Sequence, residues 1–358
     1  MSESTIKDNN LNVQAQTSFI RNIDSTNISW DQKLKDDDIN SSIKEDKYNE
    51  YSVVSLFSGC GGMDLGFRGG FNFLGTDYER HPFDIKWANE INASACRTYI
   101  ENIGSHIHQG DVWRFIEDMP DTADVMIGGF PCQDISVNGK GTGVSGSRSG
   151  LYLAMVEAVR RVRPKVFVAE NVKGLLMRHH EKSLEKVINE FRALGYNVPR
   201  PILYNSADYG VPQTRERVFL VGYLPNVAEF VPPTATHEPQ NHVTARAALS
   251  DLAGMPEDVR YSHIWSRAKR SPEQGNRKLV ASRPGYTIRA ECHGNIQWHY
   301  DLPRRISMRE AARIQSFPDG FVFVSKLRET ERQIGNAVPP VLAWHIARAI
   351  AQMLAQSR

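Results

Sequence analysis

The chain has 358 residues, 41% of them hydrophobic, and 43 basic against 41 acidic side chains give a formal charge of +2. That length can bury a sizeable core and suggests about two domains, while the near-neutral balance excludes a polycation, so any nucleic-acid contact must come from a local basic surface. The start is polar and no apolar run approaches membrane-spanning length; the four cysteines, Cys60, Cys96, Cys132 and Cys292, form no Cys-x-x-Cys, which argues against a zinc site or a disulfide framework and for a reducing, cytoplasmic setting.

Residues 1–50 are rich in Asn, Ser, Asp and Lys, with an Asp36-Asp37-Asp38 run, a composition that predicts a mostly disordered leader. From Tyr51 the pattern changes. Val53 to Phe57 predicts a buried strand, followed by a Gly-rich turn and a helix from Met63; Phe83 to Ala88 predicts a second strand, and Asn92 to Asn102 a helix. Val125 to Ile127 is a third strand, Leu151 to Arg163 an amphipathic helix, Val166 to Ala169 a fourth strand and Lys182 to Leu194 a helix. Val198 to Leu203 and Val218 to Tyr223 close the series as strands. This alternation predicts an α/β fold, doubly wound, with a mostly parallel sheet, helices on both faces and ligands at the carboxyl ends of the strands. After Tyr223 it stops, and residues 225–300 are Pro-rich, His-rich and irregular. Ser307 to Ser316 predicts a helix opened by a Ser307/Glu310 capping box. A turn at Gly335 to Pro340 then leads to an amphipathic helix, Val341 to Leu354, that returns to the large unit. The expected division is a leader (1–50), a large unit (51–224, completed by 335–358) and a small irregular unit (225–325).

Three strand ends suggest a nucleoside pocket. Gly59, Gly61 and Gly62 let the backbone approach a ligand and open a helix N-terminus. Glu90 follows the second strand, where an acid can take both ribose hydroxyls, and no phosphate-binding Arg is near, which fits a ligand without phosphate. Asp111 can accept from an adenine amino group or merely cap a helix. The next two ends carry reactive groups: Cys132 in Gly128-Gly-Phe-Pro-Cys-Gln133, and Glu170 in Glu170-Asn-Val172. A thiolate can add to carbon 6 of a pyrimidine, a carboxyl group can protonate N3, and carbon 5 then becomes nucleophilic enough to take a methyl group. In Gln213-Thr-Arg-Glu-Arg217, strand alternation sends Arg215 and Arg217 to one face. There they can hold the pyrimidine carbonyl and orient Glu170, or form a strand-start salt bridge. The polar, Gly-rich stretch from Gln133 to Gly150 is consistent with a lid over the cleft.

These blocks, together with Ser55 to Phe67, Gly110-Asp111, Arg309 to Asp319 and Gly335-Asn-Ala-Val-Pro339, occur in the order found in the DNA (cytosine-5) methyltransferases. From Ser52 onward the chain resembles that family, in its bacterial restriction-modification type. The resemblance implies the S-adenosylmethionine-dependent methyltransferase fold with a small target-recognition domain. It implies S-adenosylmethionine as cofactor, contacted by Phe57, Glu90, Ile91, Asp111, Val112 and Pro131, with Gly59 and Gly61 in the adjoining turn and Asn336 near the methionine end. The implied catalytic residues are Cys132, Glu170 and Arg217, with Arg215 beside them; no metal is implied. The family's mobile loop usually carries an Asp shortly before Arg-Gly, whereas Ser145 to Gly150 here supplies Arg148 without it. Tyr286 to Trp298 occupies the target-recognition position, with Thr287-Ile288 similar to the family's Thr-aliphatic pair. Within it Arg289, Glu291, His293, Asn295 and Gln297 are the side-chain types that read base edges, and the basic run between Trp265 and Arg289 suits phosphates.

The implied activity is methylation of carbon 5 of cytosine in a short duplex DNA sequence. It would proceed with base flipping and a covalent Cys132 adduct, by a cytoplasmic monomer working alongside a cognate restriction endonuclease. Two competitors are a transfer-RNA methyltransferase of the same fold, whose Cys-Phe-Thr signature is absent here, and a catalytically inactive DNA-binding regulator, which would be expected to have lost the reacting groups.

Overall fold

Side chains of the central strands are buried almost without interruption, because both faces of one sheet are covered. The computed structural model describes residues 30, 50–130, 150–269, 276–290 and 297–357. Seven strands, β1 (Tyr51–Leu56), β2 (Phe83–Glu90), β3 (Ile107–Gln109), β4 (Val125–Gly129), β5 (Val166–Val172), β6 (Ile202–Asn205) and β7 (Glu216–Tyr223), lie in the order β3-β2-β1-β4-β5-β7-β6. All neighbours are parallel except β7, which runs antiparallel to both β5 and β6. The expectation of a mostly parallel α/β sheet is met. The chain steps outward from β1 through β2 and β3, then returns to β4 on the other side, so the switch point lies at β1.

Val53, Val125, Ile127, Val166, Val168, Phe219 and Val221 face one way. There they pack against α1 (Gly62–Arg68) and the C-terminal helix, designated α7 (Pro340–Ala355). Val54, Met126, Phe167, Val218 and Leu220 face the other way, onto α3 (Leu151–Val162) and α4 (Glu181–Ala193). Between α1 and α3, helix α2 (Ala93–Asn102) begins at Asn92, whose side chain accepts from the Ser94 and Ala95 amides, as an N-cap should. A third cluster joins Cys60 and Leu65 to Ala248, Ile306, Ile314, Phe317 and Ile334. Described residues between 245 and 334 therefore share a core with the segment following β1.

Some boundaries differ from expectation. The sixth strand forms at Ile202–Asn205, not Val198 to Leu203, because Pro199 and Pro201 have no N–H to donate to a ladder. Elements not expected include the edge strand β3, the short hairpin of Phe71–Phe73 and Thr76–Tyr78, a short helix at Ala245–Leu249, and α6 (Leu327–Asn336), which runs through what the sequence suggests is a turn at Gly335-Asn336. The capping box forms on α5 (Met308–Ile314): the Ser307 hydroxyl accepts from the Glu310 amide at 3.0 Å, and Glu310 accepts from the Ser307 amide at 2.7 Å. Most of the predicted leader lies outside the described residues. Trp30 does not: it is buried, stacked on Tyr261 with ring centroids 5.1 Å apart, and its Nε1 donates to the Pro256 carbonyl at 3.2 Å.

Candidate active site

A cavity of about 450 Å³ opens at the carboxyl ends of β1, β2, β4 and β5, where the strand order reverses. Of the residues singled out from sequence, Phe57, Gly59, Glu90, Ile91, Glu170, Arg215, Arg217 and Asn336 all line it. Phe57 leaves β1 at a φ of 54° and Gly61 sits at 93° just before α1. Both values are in the left-handed region, which turns the chain sharply beneath the cavity.

At the end of β2, Glu90 is held by two backbone amides: Gly59 donates to Oε2 at 3.0 Å and Asn92 to Oε1 at 2.7 Å. Burial pushes its carboxyl above the ordinary range, while those amides and Arg332 pull it back. Each oxygen keeps a further lone pair, so a clamped carboxylate can still accept from the two hydroxyls of a ribose. Asp111 and Val112 lie outside the lining. Asp111 is exposed and accepts from the Trp113 amide at 3.1 Å, the plain N-cap alternative, and the Val112 side chain is buried in the second-face core.

Glu170 stands on β5 beside Gly129 of β4. A Cβ at position 129 would come within 2.9 Å of its Oε2, so the bare glycine leaves room for the carboxyl group over the strand end. Arg217 lies diagonally across on β7, whose Phe219 is the direct partner of Glu170; its Nε reaches Glu170 Oε1 at 2.9 Å, with both side chains nearly buried. Burial is the larger influence on Glu170 and raises its pKa, and Arg217 and then Arg215 oppose it. Next in the strand, Asn171 Nδ2 donates to the Phe130 carbonyl at 2.8 Å. This ties down the last described residue before Pro131 and Cys132. Pro131, Cys132, Arg148, Glu291, His293 and Asn295 lie outside the described residues.

Arg215 behaves differently from its expected role. It falls in the break before β7 and is 1% exposed. Its guanidinium donates to the carbonyls of Ile288 (2.7 Å), Gly335 (2.7 Å) and Ala337 (3.0 Å). It fastens the end of α6 to the segment carrying Thr287-Ile288, and Arg217 is the arginine bonded to Glu170. Strand alternation misses this because the strand is interrupted at that residue.

The recognition segment docks on the same edge: Thr287 Oγ1 donates to the Thr214 carbonyl at 2.7 Å and the Ile288 amide to Gln213 Oε1 at 2.9 Å. Arg289 is exposed. Gln297 is not: it is 5% exposed with its Nε2 on the Tyr286 carbonyl at 3.0 Å. The expectation that it reads bases is corrected, since a buried amide spent on the backbone shapes the loop and presents no edge to DNA. Arg277, Lys278 and Arg283 of the basic run are exposed, while Arg267 pairs with Glu257 at 2.5 Å.

Three lining residues went unnoticed in the sequence. Arg332 and Gln333 lie on α6, whose run of charged residues hides the burial of Thr330, Glu331, Gln333 and Ile334. Asp64, in the first turn of α1, is fully buried and accepts from the Tyr99 hydroxyl at 2.9 Å; nothing in its local sequence marks it as internal.

A family model described as C-5 cytosine-specific DNA methylase matches residues 51–280 and 258–352. Type II methyltransferase M.NgoFVII of Neisseria gonorrhoeae is 36% identical over 336 residues, covering 84% of this chain and 87% of that one. M.BspRI of Lysinibacillus sphaericus is 34% identical over 361 residues, covering 87% and 83%. The crystal structure of the S. pombe Dnmt2 methyltransferase matches 86% of this chain with a TM-score of 0.62 at 19% identity, a likeness of fold.

Proposed function

The chain belongs to the C-5 cytosine-specific DNA methylase family, whose enzymes use S-adenosylmethionine as methyl donor, and from this premise we propose how its own residues carry out the transfer. It is a cytosine-5 methyltransferase of the type II restriction-modification kind. Its substrate is a short specific sequence in duplex DNA. Carbons 5 and 6 of cytosine are stacked inside a duplex, so the target base must be flipped into the cavity.

Glu90 would take the ribose hydroxyls of the donor, Phe57, Gly59, Gly61 and Ile91 would shape its bed with Pro131, and Asn336 would meet its methionine end. When bound, S-adenosylmethionine supplies an electrophilic methyl group. The Cys132 thiolate forms a bond to carbon 6 of the flipped cytosine, and Glu170, whose hold on a proton is strengthened by burial, donates to N3 as charge develops there. Arg217 fixes the carboxyl group and holds the pyrimidine carbonyl, and Arg215 positions the segments around them. Carbon 5 would then attack the methyl group, whose bond to the donor sulfur breaks with the electron pair left on sulfur; transfer of the carbon 5 proton to a water molecule supplies the electrons that re-form the 5,6 double bond and expel the Cys132 thiolate.

Arg148, Thr287, Arg289, Glu291, His293 and Asn295 contact the DNA. Residues 51–224 with 335–358 form the catalytic domain and 225–325 the target-recognition domain. The enzyme acts as a cytoplasmic monomer that protects host DNA against a partner endonuclease. The observation carrying this reading is the Glu170–Arg217 pair at 2.9 Å in the cavity that also holds Glu90. Cys132→Ser is expected to abolish methyl transfer while leaving donor and DNA binding intact; turnover by that variant refutes the covalent route. Bisulfite sequencing of DNA from cells expressing the chain reads the activity and the site together.

A further inference from the structure

Beyond Glu170, Asn171 and Val172, which line the cavity, the chain makes two consecutive 3-10 turns, Lys173–Leu176 and Arg178–His180. Leu175 is buried and anchors them. Its neighbours are not: Leu176 is 39% exposed, Met177 51% and Val172 40%. Val172 lines the cavity and Leu176 and Met177 follow it in the chain, so three large apolar side chains face solvent in the segment leaving the cavity, a placement that marks a contact surface.

The charges around them say what kind. Lys173 is spent on both oxygens of Glu216 at 2.9 Å. Glu181 and Glu185 both engage Arg200, at 3.5 and 3.2 Å. Arg178 and Lys182 are thereby left without an ion-pair partner among the described residues. Apolar side chains flanked by uncompensated cations complement a ligand that alternates apolar faces with anions, as a nucleic-acid strand does.

We propose that Leu176, Met177 and Arg178 form a DNA-contact surface on the catalytic side of the cleft, with the apolar pair against the bases unstacked when the target cytosine leaves the duplex and Arg178 on a backbone phosphate. Apolar wedges against opened base steps and cations on phosphates are the two ways in which proteins hold distorted duplexes. The proposal rests on the reading that the chain flips cytosine out of duplex DNA.

The test uses the full chain, with a Leu176→Ser/Met177→Ser double variant and Arg178→Gln. All three residues are exposed, so folding is not at stake. The double variant is expected to lose about tenfold in kcat/KM on a matched duplex and to recover to within about twofold when the target cytosine faces a mismatched base, where unstacking costs less. Arg178→Gln is expected to lower the slope of log Kd against log salt by about 0.9, the share of one phosphate, with donor affinity unchanged. The proposal is overturned if the slope stays at the wild-type value and the double variant loses equally, or not at all, on both duplexes; the latter result is what a protein-docking surface gives. A wild-type chain that binds duplex but never methylates it refutes the proposed function instead, and the slope still judges this surface.

Discussion

Replacing Arg215 by Met removes the guanidinium while keeping most of the apolar volume. Three hydrogen bonds from a charged donor are lost, at 2.7, 2.7 and 3.0 Å, and three carbonyls near the end of α6 and the recognition segment lose their partner. Each charge-assisted bond contributes roughly 1.5–3 kcal/mol, but water entering the opened space satisfies part of the deficit, so the expected loss is about 3–5 kcal/mol. At roughly 2 °C per kcal/mol for a chain of this size, the melting temperature should fall by about 6–10 °C. Scanning calorimetry at one fixed rate measures it. Arg215→Lys should recover little, because an ammonium group cannot reproduce a planar fork set on three carbonyls. Refutation is simple: an Arg215→Met enzyme with wild-type melting behaviour and no turnover would make Arg215 a reacting residue instead of a clamp.

In Gly335→Ala, the new Cβ would lie 2.4 Å from the Arg289 carbonyl carbon and 2.5 Å from the Ala290 amide nitrogen. The roughly 1 kcal/mol gained in helix propensity is outweighed by about 1–3 kcal/mol of overpacking, and bisulfite mapping should register weakened sequence discrimination as Arg289 is displaced. Asp64, ordinarily near 3.8, is pushed up to about 6 by burial, with Tyr99 and Ser55 pulling it back. The native state therefore holds a proton that the unfolded chain has released, and stability from this group falls as pH rises from about 4 to about 6. Asp64→Asn should remove that slope, about 3 kcal/mol over the window, in urea titrations taken at several pH values. Trp30→Ala removes a ring stack and one hydrogen bond, together about 2 kcal/mol of local stability. Faster hydrogen exchange around Tyr261 and His263 is the expected signature, and unchanged exchange would mean that the contact is not held in solution.

The central strands were legible because their residues are buried on both faces, giving short apolar runs such as Val125 to Ile127 and Val166 to Ala169, and alternation with amphipathic helices is enough to imply a parallel sheet. The acids at strand ends were legible for the same reason: Glu90 and Glu170 break off apolar runs at the edge where such sheets bind ligands. What sequence alone could not supply was every feature set by contact between distant segments. Arg215 and Arg217 look equivalent two residues apart, yet one grips three backbone carbonyls and the other Glu170. Gln297 has the chemistry of a base reader but spends its amide on Tyr286. Trp30 lies in a stretch too polar to fold by itself, and α6 buries polar side chains that no periodicity marks as internal. Local propensity and burial pattern act over a few residues and decide strands, helices and their order; a polar side chain takes whichever partner the finished fold brings within about 3 Å, and only the tertiary structure makes that choice.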